Sequence, residues 1–160
     1  MIKNVFRTFS FALMLSSTQW SGAAILSGLN QPKVDAQLIP GKWQCEYTDP
    51  QMDMWSEDEY RSDGQYFAIG SIQMKEHSIP ITFELTLEAR WELDGNQLFF
   101  KDIKLTELQG NHDQFGALLE AAYKNYTSVE SRIENFTESS MRIRAVTPVV
   151  SDHVSECQKH

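Results

Sequence analysis

A chain of 160 residues, 41% hydrophobic and 22% charged, is long enough for one domain with a real core and too short for two ordinary domains and a linker. Four Trp, five Tyr and nine Phe exclude a disordered composition. A formal net charge of −8 argues against nucleic acid or anionic membrane surfaces as partners, both of which select basic patches.

The N-terminal stretch differs from the rest. Lys3 and Arg7 precede the apolar run TFSFALMLSS, the apolar flavour continues through WSGAAILSGL, and the first acidic residue is Asp35. A basic region followed by an apolar one is the pattern of a secretory signal peptide, expected here over residues 1–36. Cleavage fits the small-x-small rule after Ala36, or after Ala23. No cysteine follows the apolar run, so a lipoprotein anchor is not expected. Ser10, Ser16, Ser17, Thr18, Gln19 and Ser21 make residues 9–29 a poor membrane helix, and no stable membrane span is expected after cleavage. The expected location is periplasmic or secreted. Removing Lys3, Arg7, Lys33 and Asp35 takes 14 basic and 22 acidic residues to 11 and 21, so the mature domain, 38–160, carries −10.

In GKWQCEYT, Trp43, Cys45 and Tyr47 alternate with Lys42, Gln44 and Glu46 after a Pro40-Gly41 break, which predicts a first strand. The run 49–63 holds Asp49, Asp53, Glu57, Asp58, Glu59 and Asp63 against the single base Arg61 and reads as a solvated acidic loop. A strand follows over 65–75, with a tight spot at Gly70. The alternation is cleanest in ITFELTLEARWEL: Phe83, Leu85, Leu87, Ala89, Trp91 and Leu93 share one face, and Thr82, Glu84, Thr86, Glu88, Arg90 and Glu92 the other. Asp94-Gly95 then predicts a hairpin into QLFFKDIKLTEL. There the apolar positions move from even to odd between Phe100 and Ile103, the signature of a bulge.

The period changes in NHDQFGALLEAAYKNY. Phe115, Leu118, Leu119, Ala122, Tyr123 and Tyr126 recur at helical spacing, predicting one amphipathic helix near 112–126, with Asn111 or Asp113 as N-cap, covering an open end or edge of the sheet. Two short strands around TESS and a last one in HVSECQKH complete the order: about five strands, one helix, three strands. The fold class is mainly β (α+β), an antiparallel up-and-down sheet or small barrel with one helix.

The two cysteines both lie beyond either cleavage site, and an exported chain with an even count has one natural pairing, Cys45 with Cys157. It would tie the first strand to the last. The histidines show no metal-ligand spacing, and neither a nucleophile elbow nor a phosphate-binding loop occurs. The chain is therefore expected to be no enzyme, with no catalytic residue, cofactor or metal.

Gly41-x-Trp43 opening the first strand, DGQYF at 63–67, WELDGNQLFF at 91–100 and IENFTESSMRIRA at 133–145 together resemble the small lipocalin-like (calycin-type) proteins exported by bacteria, over most of 38–146. The resemblance implies a tryptophan packed across the closed base of an up-and-down barrel beneath a basic residue from a late strand. Trp43 takes that place, with Arg142 or Arg144 as the basic candidate. It also implies a small apolar or amphipathic ligand held among the inward aromatics Trp43, Tyr47, Phe83, Trp91 and Phe100. The alternative function is an acidic interaction or inhibitor module that engages a cationic protein through Asp53, Glu57, Asp58 and Glu59.

Overall fold

The computed structural model describes residues 32–75, 79–126, 128–147 and 153–160. Most of the expected signal peptide, residues 1–31, lies outside the described residues.

Eight strands form a closed antiparallel barrel in sequence order: β1 (Gly41–Thr48), β2 (Met52–Tyr60), β3 (Gln65–Met74), β4 (Ile81–Asp94), β5 (Gln97–Gly110), β6 (Ser128–Phe136), β7 (Ser140–Thr147) and β8 (Val154–Lys159). One helix, α1 (Asp113–Asn125), stands between β5 and β6. Closure comes from β8 pairing back onto β1, with Trp43 opposite Lys159 and Cys45 opposite Cys157. Each strand thereby has a partner on both sides over at least part of its length, which limits the sheet edges that would otherwise template association. The arrangement is compatible with a lipocalin-like fold.

Residues directly opposite in a ladder share a face. The register therefore aligns three interior rows across four strands: Tyr47, Met54, Ile72 and Phe83; then Cys45, Ser56, Gly70 and Leu85; then Trp43, Asp58, Ala68 and Leu87. The expected alternation of β4 is present, with Phe83 and Leu85 buried and Thr82 and Glu84 exposed. The hairpin is present too: Asp94 pairs with Gln97 around a two-residue turn, Gly95-Asn96. Gly95 takes φ 63° at the first turn position, where a residue without Cβ is at no disadvantage.

The bulge lies where the apolar parity changes. Between Arg90 opposite Lys101 and Glu88 opposite Lys104, β5 carries one extra residue, and Asp102 adopts φ 55° there. A second shift follows between Thr86 and Leu87. Beyond Lys101, β5 continues against β4 alone while α1 packs along it.

The acidic run is not a loop. Residues 52–60 form β2, paired along its length with both β1 and β3. Its odd positions, Asp53, Trp55, Glu57 and Glu59, face out, whereas Met54, Ser56, Asp58 and Tyr60 face in. Ladder pairing on two sides outweighs the low strand propensity of its carboxylates. The helix has the expected bounds within a residue, but its N-cap is His112, whose Nδ1 accepts from the Phe115 N–H at 3.2 Å. Asn111 instead ties the neighbouring chain, accepting from Thr82 N–H and donating to Pro80 O.

The core occupies the end of the barrel at which β2 turns into β3 and β4 into β5, here termed the base; α1 lies at the opposite end, the mouth. Ile39, Trp43, Tyr60, Leu98, Ile133, Met141 and Cys157 are all at most 2% exposed, and Tyr66, Trp91, Phe100 and Phe136 pack around them. The Cys45–Cys157 disulfide is formed, across 112 residues of sequence.

Candidate functional site

The base is sealed by the residues that open β1. Trp43 is fully buried, donates from Nε1 to Ile39 O at 2.8 Å and packs on Phe136. The basic residue across it is Lys159, whose Nζ lies 5.1 Å from the indole centre and donates to Leu38 O. This corrects the expectation of Arg142 or Arg144, which pair on the outside with Glu134, Arg142 also with Glu156. Gly41 is favoured by its backbone, whose φ of 138° is strained for a residue with a Cβ, and a Cβ there would also stand 2.7 Å from Lys159 Cε.

Above this base the interior side chains become small. Cys45, Ser56, Ala68, Gly70 and Ser155 come from four strands, and between them and Leu85, Leu87, Ile72 and Tyr123 of α1 lies a cavity of about 170 Å³. Asp58 and Tyr66 line it where it meets the base cluster, and Tyr47 lines it toward the mouth. Tyr47 donates from its hydroxyl to Asp49 Oδ2, and its ring lies 4.4 Å from that of His153. Desolvation, then the Asp49 carboxylate, pushes the Tyr47 phenol up to about 12. The same hydrogen bond, with the N–H groups of Gln51 and Met52, holds Asp49 below its ordinary value.

Asp58 is the unusual group of this interior. It is 6% exposed, and its Oδ1 has no hydrogen-bond partner among the described residues. Its Oδ2 lies 3.4 Å from Cys45 Sγ, a contact rather than a hydrogen bond because a disulfide sulfur carries no proton. Burial raises its pKa from 3.8 to about 6, opposed by the hydroxyls of Ser56 and Tyr66. Burial also lifts the phenols of Tyr60 and Tyr66 well above the usual range, and the Asp58 charge adds to both. A perturbed carboxyl in a cavity is a mark of functional sites, because an isolated buried charge works against stability.

The five aromatics expected to hold a ligand all face inward but do not gather at one place. Tyr47 lines the cavity. Trp43 belongs to the base seal, and Trp91 and Phe100 to an aromatic cluster with Tyr60 and Tyr66, ring centres 4.7 to 6.2 Å apart. Phe83 packs on Phe115 of α1 and walls an open groove of about 850 Å³ between β5 and the helix. The four acidic residues divide as well. Asp58 points into the barrel, Asp53 is salt-bridged to Lys75 at 2.6 Å, Glu59 pairs with Arg61 at 2.8 Å, and Glu57 is exposed on the outer face.

Sequence reasoning missed Ser56, Asp58 and Tyr66 as interior groups. The signal for Ser56 and Asp58 is the even parity shared with Tyr60 once 52–60 is taken as a strand, and Tyr66 follows from its place opposite Tyr60 on β3. It missed Lys159 because the basic partner was sought in β7. Neither a family model nor a curated protein matches the chain.

Proposed function

We propose that the protein is an exported lipocalin-like binding module that holds one small, partly apolar ligand in the mouth half of its barrel. The observation that carries this is the interior cavity between Tyr47, Tyr66, Leu85, Leu87 and Tyr123. Small barrels are commonly filled by their own side chains, and here the packed cluster at the base leaves a space open above it. At about 170 Å³ the cavity falls below the roughly 300 to 1,000 Å³ of drug-sized pockets and near the about 150 Å³ that accommodates benzene in an engineered core. The ligand is therefore of one-ring size, not a long-chain lipid.

Export belongs to the same reading: it accounts for the basic-then-apolar N-terminus and for a disulfide, which persists in oxidising compartments. Of the two cleavage positions the one after Ala23 is favoured. Val34 packs against the base cluster and Asp35 caps the 3-10 turn Ala36–Leu38, and cleavage after Ala36 would remove both. The intact mass of the exported protein distinguishes the two. The acidic interaction module is less favoured, because Lys75 and Arg61 engage two of the outward carboxylates and Asp58 faces inward.

The test is a size series of hydrophobic guests, from toluene to a long-chain fatty acid, followed by calorimetry. Saturable binding of one-ring guests, lost in Ser56→Leu, which fills the cavity, is expected. No saturable binding by any guest, or binding indifferent to Ser56→Leu, contradicts it.

A further inference from the structure

Resting on the reading of the cavity as a ligand site, we infer that the ligand is a small organic cation, a primary amine on an apolar body of about one ring, held by an ion pair to Asp58.

Among the described residues that line the cavity Asp58 is the one charged group: the phenols of Tyr47, Tyr66 and Tyr123 are neutral, and no Lys, Arg or His stands among them. The carboxyl has an oxygen without a donor among the described residues. The hydroxyls of Ser56 and Tyr66 act on it, yet Oδ1 stays unpaired. A buried carboxylate calls for a cation or several N–H donors, and because Asp58 is among the residues that line the cavity, an occupant of that space can bring them to the carboxyl. An ammonium brings three donors and the missing charge in one atom.

The rest of the lining suits the remainder of such a ligand. Leu85, Leu87 and Ile72 make an apolar wall, and three tyrosine rings line the same space. Aromatic faces attract cations and stack on rings, so they favour an amine over an anion of the same size. A carboxylate or phosphate ligand would meet Asp58 as a like charge.

Of the titratable groups, Tyr60 on its own strand and Tyr66 on β3 interact with Asp58, and Tyr47 on β1 and Tyr123 on α1 line the same cavity. Lys159 on β8 stands across Trp43, toward the base, with its ammonium engaged by Leu38 O. Among them Asp58 is the group that titrates near pH 6. An amine that needs the ionised carboxyl will bind more tightly as pH rises through that value and, by linkage, will lower it. A neutral guest that accepts a hydrogen bond from the protonated acid will do the opposite.

The experiment compares benzylamine, benzyl alcohol, toluene and benzoate by calorimetry on the exported chain at pH 5 and pH 7.5. Benzylamine is expected to bind at least about tenfold more tightly than benzyl alcohol at pH 7.5, the worth of one charged hydrogen bond, and to weaken at pH 5. Asp58→Asn should erase that preference while toluene still binds. Because a substitution here can disturb the fold, the Asp58 carboxyl is also titrated in the wild type by carbon NMR, with and without benzylamine. The amine should lower its pKa by about a unit or more. Equal binding of benzyl alcohol or toluene, or an unmoved carboxyl titration, overturns the amine while leaving the cavity as a ligand site. No binding by any of the four overturns both.

Discussion

The two halves of the barrel use the same eight strands in opposite ways. Toward the base, Trp43, Tyr60, Leu98, Ile133 and Met141 are each at most 2% exposed, and the rings of Tyr66, Trp91, Phe100 and Phe136 pack around them. Two residues further along β1, β2, β3 and β8, the interior positions are Cys45, Ser56, Gly70 and Ser155, and a cavity opens. The base provides the packing on which stability rests, and the mouth half can then carry a costly group such as Asp58. The disulfide sits at the boundary, clamping β1 to β8 at the level where packing gives way to space.

The largest effect is expected at that boundary. Replacing Cys45 and Cys157 together with Ser removes a constraint over 112 residues, worth roughly 4 to 5 kcal/mol in the chain-entropy model. Thermal melting with and without reductant measures it, and an unmoved curve would remove the staple from the account. Next come paired truncations of the two halves. Leu98→Ala at the base should cost about 3 to 5 kcal/mol in urea unfolding, and Leu85→Ala beside the cavity should cost distinctly less, because fewer atoms surround the deleted methyls. Equal costs would dissolve the contrast between halves.

Asp58→Asn runs the other way. The folded carboxyl titrates at about 6 and the unfolded one near 3.8, so the unfolded state ionises first as pH rises. The wild-type fold is therefore stabilised by the neutral acid at low pH and loses that advantage between about pH 4 and pH 6. The Asn variant should be more stable by roughly 2 to 3 kcal/mol at pH 8 and no more stable at pH 3, since one pKa unit is about 1.4 kcal/mol. A stability difference constant with pH would show that Asp58 is not the buried acid described here. The smallest effect is that of Lys159→Met, which loses the contact with Trp43 and the hydrogen bond to Leu38 O. About 1 kcal/mol is expected in the same unfolding assay.

Much of the barrel was legible because its signals are local. The alternation from Phe83 to Leu93, the Asp94-Gly95 hairpin and the parity change before Ile103 each depend on a few adjacent residues, and each lies where expected. The disulfide was legible from two cysteines and an export pattern. The β2 strand was not, because five carboxylates in 53–59 and 63 mask its alternation and one of them, Asp58, faces the interior. The cavity was legible even less. It exists because Ser56 and Gly70 meet at one level of the barrel with Ser155 one inward position beyond Cys157, and smallness at one position predicts nothing until the register is known. The base lysine illustrates the same limit: Lys159 reaches Trp43 only through the β1–β8 closure.

The most direct measurement of whether the mouth half is a ligand site is methyl NMR of the whole domain while a one-ring guest is titrated. The methyls of Ile72, Leu85 and Leu87 should shift saturably, and those of Leu98, Ile133 and Met141 should stay still. Shifts centred on the base methyls, or none in either half, would contradict the account.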